Sequence, residues 1–253
     1  MRWFPGAREL VAQARAEMPQ KNELCGAFVT VVSLRANGIA VRDQDEAALA
    51  AGVRLSADGE PTWPPGEKSR DDYRVPLPRA ENPAESGATP TGVARAVEAL
   101  SGGRLQAVPA SGDWTDEALG ALLAGIHDLP RVATVANVDT GEFAAHDTPS
   151  RALLDYVEGG LPPLWSSRWR VGHFVLLAGT LSGPGGTVVS VVDTYPSLGD
   201  QGVHGQPLDR LVLALRRERL PTPGGLLLVV PAEEREAAAA LVRNAGLTTD
   251  LWA

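Results

Sequence analysis

Residues 169–195 read "WRVGHFVLLAGTLSGPGGTVVSVVDTY", and this stretch contains the strongest secondary-structure signal in the chain. Two runs rich in β-branched and aliphatic residues, 169–180 and 187–195, are typical of strands. The hexapeptide "LSGPGG" between them, residues 181–186, has the composition of a turn. We therefore expect a β-hairpin here, and an antiparallel sheet built around it.

Each of the two strands contains one polar residue that its apolar neighbours do not require, His173 and Asp193. If the turn is centred on Gly183, the two positions are directly paired, with Cβ atoms about 5 Å apart. An imidazole and a carboxylate can form a hydrogen bond at that distance. A slip of one residue would place them on opposite faces of the sheet. The alternatives are a core histidine with an ordinary partner and an aspartate that ends a strand.

The rest of the chain alternates predicted helices and strands. Residues 25–36 fit either type, because Phe28, Val31 and Val32 have helical spacing while the β-branched content favours a strand. Helices early and a hairpin later predict an α+β fold, with residues 1–253 in a single domain. The other helices are expected at 6–17, 43–51, 91–101, 114–126, 149–158, 208–219 and 232–245, and the other strands at 104–109, 131–138 and 225–230.

Residues 54–90 differ from the rest of the chain because they are rich in Pro, Gly and charged residues. A segment of this length without apolar periodicity is typical of a lid over a functional site or of a flexible surface loop, and both interpretations are open. Its two aromatic residues are Trp63 and Tyr73. If the segment is a lid, both are candidates to line a substrate cleft.

Composition excludes several classes of partner. The chain has 253 residues and a formal net charge of -8, without a basic cluster, so neither nucleic acid nor a membrane is an expected partner. Its single cysteine cannot form an internal disulfide. The first residues lack the apolar core of a signal peptide, and no apolar stretch approaches the roughly 20 residues that span a bilayer. We expect a cytoplasmic protein.

Cys25 is that single cysteine, and it stands between a polar run and an apolar run in "QKNELCGAFVTVVS", residues 20–33. A thiol at a helix N-terminus beside an imidazolium ionises readily and can attack a carbonyl carbon. Gly26 would let a substrate backbone approach the thiolate closely. The alternative is a small buried hydrophobic residue without chemistry.

Four histidines could serve as the base that such a nucleophile requires. His173 has the most unusual setting, on an otherwise apolar strand. His146 precedes Asp147 in a predicted turn, and His204, among Gly and Gln, is expected to be exposed. No pair has metal-ligand spacing, and one cysteine excludes a thiolate zinc site, so neither a metal nor a cofactor is expected. The full set is His127, His146, His173 and His204.

Three short motifs together resemble the papain-like cysteine peptidase superfamily. They are "Q-x4-C-G" at 20–26, "G-H-F-x-x-L-x-G" at 172–179 and "V-V-D-T-Y-P" at 191–196. The most similar branches are the C39-like peptidases and the phytochelatin synthases. The resemblance implies a papain-like fold, with the nucleophile at the N-terminus of a central helix that packs on an antiparallel sheet.

The resemblance also implies roles for individual residues. Cys25 would be the nucleophile, His173 the base and Asp193 the carboxylate that orients it, and residues 25–36 would be a helix. The superfamily's oxyanion-stabilising glutamine usually lies six residues before the cysteine, whereas Gln20 lies five before Cys25. Despite this difference of one residue, Gln20 is one candidate for the oxyanion-stabilising role.

Asn22 is the second oxyanion candidate. Two tryptophans just before the histidine strand, Trp165 and Trp169, could line the substrate cleft, although residues of this type are often packing residues.

The implied activity is an acyl-thioester formed on Cys25 from a peptide, amide or thioester substrate, then released to water or to an amine. The substrate would be a small molecule or a peptide, free or carrier-bound, and the sequence does not indicate the oligomeric state. One alternative is a non-catalytic relative that binds a peptide. Another is a structural protein in which Cys25 is buried and inert.

Overall fold

An antiparallel sheet lies at the centre of the fold in the computed structural model, which describes residues 1–57, 63–82 and 85–252. In the described chain the strands of the main sheet are β1 (Arg2–Trp3), β4 (Leu105–Ala110), β5 (Ala133–Asp139), β6 (Gly172–Gly183), β7 (Gly186–Val192), β8 (Val203–Pro207) and β9 (Gly225–Pro231). A separate pair of two-residue strands is parallel, β2 (Leu55–Ser56) and β3 (Arg79–Ala80). The order across the main sheet is β4-β9-β5-β6-β7-β8, and β1 pairs with β6 outside this path.

Helices pack on this sheet and confirm the predicted α+β class. Every residue of β5 is buried, so both faces of the sheet centre are covered. Among the described residues, no helix combines the length and the apolar character needed to cross a bilayer. The α-helices of the described chain are α1 (Ala7–Glu17), α2 (Cys25–Ala36), α3 (Gln44–Ala51), α4 (Pro90–Leu100), α5 (Asp116–Gly125), α6 (Ser150–Val157), α7 (Leu208–Arg216) and α8 (Arg235–Asn244).

Helix α2 settles the ambiguous stretch at 25–36 as a helix. All of its residues from Gly26 to Leu34 are buried, and it packs against α1, α3, α4 and strand β6. A helix enclosed on every side has no polar face, which is why its sequence lacks a clear amphipathic period. The first residue of this enclosed helix is Cys25.

The β6–β7 hairpin forms, but its turn is not centred on Gly183. Gly183 pairs with Gly186, so the connecting residues are Pro184 and Gly185. The predicted direct pairing of His173 with Asp193 is therefore wrong. The hexapeptide contains several turn-forming residues, and its composition alone did not distinguish between these neighbouring centres.

A β-bulge in β6 shifts the pairing register between β6 and β7. Gly179 pairs with Ser190 on the turn side of Ala178, whereas Leu177 pairs with Val191 beyond it. Without the extra residue, the turn register would place His173 and Asp193 on opposite faces. With it, the two side chains share a face and are diagonal neighbours, which long side chains can still bridge.

The segment at 54–90 is mainly irregular where the structure describes it, and residues 58–62 and 83–84 of it lie outside the described residues. The described part of the segment is hydrogen-bonded to the residues just before Cys25. The Tyr73 hydroxyl donates to the Asn22 carbonyl (2.9 Å), and Lys21 Nζ donates to the Asp72 carbonyl (2.7 Å). Whether the segment acts as a lid stays a prediction.

Gly26 has a packing role in place of the open approach that we expected. It is buried, and a Cβ atom there would lie 2.4 Å from the Ala88 Cβ and 3.1 Å from the Val93 Cγ2. The glycine therefore lets α2 approach the chain that leads into α4.

We predict that Gly26→Ala destabilises the protein by about 1–3 kcal/mol, because the methyl group must displace the Ala88 main chain in a packed core. Gly120→Ala in α5 is the matched control, since its Cβ would meet only Leu208 Cδ2 at 3.8 Å. That variant should be neutral or stabilising by up to about 1 kcal/mol through helix propensity. Urea unfolding measures both, and equal effects of the two substitutions would contradict the packing role.

Candidate active site

The Cys25 thiol lies at the N-terminus of α2 and remains partly exposed. The backbone N–H groups of Gly26 and Phe174 both interact with its sulfur. Glu23, two residues earlier, has a φ of 62°, in the left-handed region that non-glycine residues rarely adopt. Strained backbone of this kind is common next to functional groups.

His173 and Asp193 meet beside the thiol. His173 Nε2 lies 3.0 Å from Asp193 Oδ1, and the two side chains are 2% and 0% exposed. Because Nε2 is engaged with the carboxylate, Nδ1 is the ring nitrogen left for Cys25. The Thr194 N–H also donates to Asp193 Oδ1, at 2.7 Å. The structure thus brings together the three residues that the sequence motifs single out.

The electrostatics of this cluster favour a thiolate–imidazolium pair. Burial raises the pKa of Cys25, but its interactions with His173 and the two backbone N–H groups outweigh burial, so the pKa is lowered. Burial lowers the pKa of His173, but the charge and hydrogen bond of Asp193 and the contact with Cys25 raise it to about 9. Near neutral pH these shifts favour an ionised sulfur and a protonated ring.

The Asp193 carboxylate has a second imidazole on its other oxygen. His204 Nε2 lies 3.3 Å from Asp193 Oδ2. Burial raises the pKa of Asp193, but His173 and His204 outweigh this effect and the pKa is strongly lowered. The expectation that His204 is exposed is wrong, because its ring lies against the rings of Phe143 (centroids 5.8 Å apart) and His146 (4.6 Å) and the residue is 6% exposed.

The two oxyanion candidates differ in how their carboxamides are used. Asn22 donates from Nδ2 to Ser69 Oγ (2.8 Å) and accepts at Oδ1 from the Arg70 N–H (2.9 Å), so both of its ends hold the 54–90 segment. Gln20 is buried, its N–H donates to the Thr194 carbonyl (3.0 Å), and its Oε1 has no hydrogen-bond partner among the described residues. Of the two, only Gln20 has a carboxamide that is not engaged in holding that segment.

Aromatic residues surround the imidazole of His173. The ring of Trp169 lies edge-on to it, with centroids 4.8 Å apart, and also meets the ring of Tyr195 at 5.7 Å. Trp63 packs against the same group. Burial is the largest cause that raises the pKa of Tyr195, and the nearby negative charge of Cys25 is the next. The sequence motif contained Tyr195, but its place beside the thiol was not anticipated.

A cavity of about 820 Å³ opens beside Trp169. Its walls are mainly apolar, and they include Trp165, which is 79% exposed, residues 161–164, and Pro64 and Pro65. Of the other predicted cleft residues, Trp63 packs against the cluster of Trp169, Tyr195 and Leu198 beside this cavity, and Tyr73 lies apart from it against Asn22.

A buried guanidinium was missed by the sequence reasoning. Arg217 is 9% exposed, its Nη1 donates to Asn137 Oδ1, and its Nε has no partner in the described part of the chain. Burial lowers the pKa of Arg217, while Asp139 and Cys25 raise it. Its positive charge therefore favours the thiolate. Nothing in the pattern around "RRERL" distinguishes it from a surface arginine.

The fold and this cluster define an α+β protein with a partly exposed thiol on a buried histidine–aspartate pair. The chain belongs to a family of unknown function, DUF6885, whose profile matches residues 4–253. No curated protein matches the chain. The family assignment supplies no activity, so the function must be inferred from the site.

We predict that His173→Ala raises the apparent pKa of Cys25 by 1 unit or more, because the thiol stays partly buried and loses its cationic partner. Alkylation by iodoacetamide, followed from pH 5 to 10, measures this pKa, and the rate at pH 7 should fall about 10-fold. The control is His127→Ala, whose ring packs on Phe4 with centroids 5.2 Å apart. An unchanged midpoint in His173→Ala would disprove the coupling.

Proposed function

We propose that the protein is a cysteine-nucleophile enzyme of papain-like arrangement that forms an acyl-thioester on Cys25. Its substrate is a peptide, an amide or a thioester, and the acyl group passes to water or to an amine. The observation that carries this proposal is the contact of a partly exposed thiol with an imidazole whose far nitrogen is held by a buried carboxylate. A packing cysteine requires none of these groups.

In the proposed reaction the Cys25 thiolate attacks the carbonyl carbon of the substrate, and the carbonyl π electrons move to the oxygen. The His173 imidazolium then gives its Nδ1 proton to the leaving nitrogen or sulfur as the bond to carbon breaks. A water or amine attacks the resulting thioester and transfers a proton to His173. Collapse of this second intermediate expels the Cys25 thiolate and restores the starting state.

The oxyanion of both intermediates requires hydrogen-bond donors. The first N–H groups of any α-helix have no intrahelical acceptor, and Cys25 is the first residue of α2. We assign the second donor to Gln20, since the amide of Asn22 is engaged with Ser69 and Arg70. Donors of this kind each contribute about 2.7–4 kcal/mol to transition-state stabilisation.

The cavity beside Trp169 supports an acyl donor with a large apolar group. Its walls include exposed Leu161, Leu164 and Trp165, and a contiguous exposed apolar patch of this kind is typical of a binding site. Trp169 lines the cavity, and its ring lies 4.8 Å from the His173 ring, centroid to centroid, so one side chain separates a group bound there from the imidazole.

We predict that the protein forms a thioester adduct with p-nitrophenyl acetate, detected by intact mass spectrometry and removed by neutral hydroxylamine. Cys25→Ala should abolish the adduct with little change in thermal stability, because Cys25 is only partly buried and alanine removes a single heavy atom. His173→Ala should slow its formation about as severely, since nucleophile and base act as a unit. Full turnover of a substrate by Cys25→Ala would refute the proposal.

We predict that activity towards p-nitrophenyl esters rises with acyl chain length from two to eight carbons, because each buried methylene contributes about 0.8 kcal/mol. Trp165→Ala should reduce kcat/KM for the eight-carbon ester by about 10-fold and leave the acetate rate nearly unchanged. Trp3→Ala is the matched control, since Trp3 is also exposed and does not line this cavity. A uniform effect of Trp165→Ala on all esters would argue against an apolar acyl site.

A further inference from the structure

A chain of buried hydrogen bonds continues beyond the carboxylate of Asp193. Gln206 lies two residues after His204 on β8, so both side chains point to the same face. Gln206 Nε2 lies 3.0 Å from His204 Nδ1, and His204 Nε2 lies 3.3 Å from Asp193 Oδ2. Gln206 and the His204 side chain are almost completely buried.

The main chain of Ala144 fixes which way the Gln206 carboxamide faces. The Ala144 N–H donates to Gln206 Oε1 at 2.8 Å, and Gln206 Nε2 donates to the Ala144 carbonyl at 3.1 Å. A flipped amide would lose both bonds. The nitrogen of Gln206 therefore faces His204 and offers its second hydrogen to Nδ1.

This arrangement determines the tautomer of His204. A ring nitrogen that accepts a hydrogen bond carries no proton, so Nδ1 is the acceptor and the proton is on Nε2. His204 Nε2–H then donates to Asp193 Oδ2. Oδ1 of the same carboxylate is left to hold His173 Nε2, and that contact turns His173 Nδ1 towards the thiol.

The same residues could suggest a metal site, since donor atoms of His146, Asp193 and His204 lie within 4.8 Å of one another. A metal on His204 Nε2 would require its proton on Nδ1, donated to an acceptor. Gln206 presents a donor at that position. The hydrogen-bond arrangement therefore fits a proton between His204 and Asp193 better than a metal ion.

We propose that His204, held in its Nε2–H tautomer by Gln206, is a positioning residue that orients Asp193 and, through it, His173 and the Cys25 thiolate. The proposal rests on the proposed function, because it assigns a partner to the carboxylate of that same site. The Cys–His–Asp set then becomes a series of five interacting side chains that ends in hydrogen bonds to the backbone of Ala144. The five are Cys25, His173, Asp193, His204 and Gln206. His204 itself contacts neither the thiol nor a substrate in this scheme.

The test compares the pH dependence of Cys25 alkylation by iodoacetamide in four proteins: wild type, His173→Ala, His204→Ala and His204→Gln. In His204→Ala the buried Oδ2 loses its donor, so the carboxylate is poorly held and the midpoint should rise by about 1 unit. The alkylation rate at pH 6.5 should fall about 10-fold. In His204→Gln the amide nitrogen can occupy the place of imidazole Nε2, and the rate should recover to within about 3-fold of wild type.

His146→Ala is the matched control. Its ring lies 4.6 Å from the ring of His204, centroid to centroid, and makes no hydrogen bond to Asp193 among the described residues. Removing it deletes an imidazole from the same cluster without removing a donor to the carboxylate. The Cys25 midpoint of this variant should match that of wild type.

The outcomes separate this proposal from the proposed function. If His173→Ala leaves the Cys25 midpoint unchanged, the thiol–imidazole pair itself is wrong. If His173→Ala shifts the midpoint and His204→Ala does not, only the role of His204 is wrong. Equal shifts in His204→Ala and His146→Ala would also overturn it, because they would reflect general loss of packing.

If His204→Ala does not fold, the tautomer of His204 can be measured directly in the wild-type protein by NMR. Two-bond ¹H–¹⁵N correlation spectra of the wild-type protein distinguish a protonated from an unprotonated ring nitrogen. The resonances of His204 are assigned by their loss in His204→Gln. We expect a proton on Nε2 and none on Nδ1, and the reverse pattern would overturn the proposal.

Discussion

The completely buried carboxylate of Asp193 is the constraint on which the rest of the site depends. A carboxylate removed from water is stable in its charged form only if hydrogen bonds and positive charge replace the solvent. Here His173, His204 and the Thr194 N–H supply donors to its two oxygens. Because these donors come from β6, β8 and the chain after β7, the sheet must hold three segments in register around one charge.

The register between β6 and β7 meets this requirement through one extra residue. The turn at Pro184 and Gly185 would by itself place His173 on the wrong face, and the bulge at Ala178 restores it. The bulge also has a close neighbour. A Cβ atom on Gly179 would lie 2.6 Å from the Arg2 carbonyl, so the small residue lets β1 pair beside the irregularity. The chemistry of the site therefore depends on the strand geometry five residues from His173.

The sequence predicted the hairpin, the α+β class and the two polar residues that meet between the strands, because a histidine and an aspartate in apolar strands have few explanations. It did not predict their register, since composition does not place a bulge. It also assigned His204 to the surface. Alternation along a strand shows that residues share a face, but only the contacts of His204 with Phe143 and His146 show that this face is covered. The same limit applies to Gly26, whose close neighbour Ala88 is 62 positions away in the sequence.

The contrast between the thiol and its partners indicates how such a site can be both stable and reactive. His173 and Asp193 are almost entirely shielded from water, so their hydrogen bond keeps its strength and geometry. Cys25 retains partial exposure at the helix N-terminus, so in the proposed reaction a substrate would meet the sulfur before either of its buried partners. Water that attacked an acyl-thioester would have to enter along the same path. In the proposed reaction, the competition between hydrolysis and transfer would be decided near Pro64 and Pro65, which line the cavity, and Trp63, which packs against the cluster of Trp169, Tyr195 and Leu198.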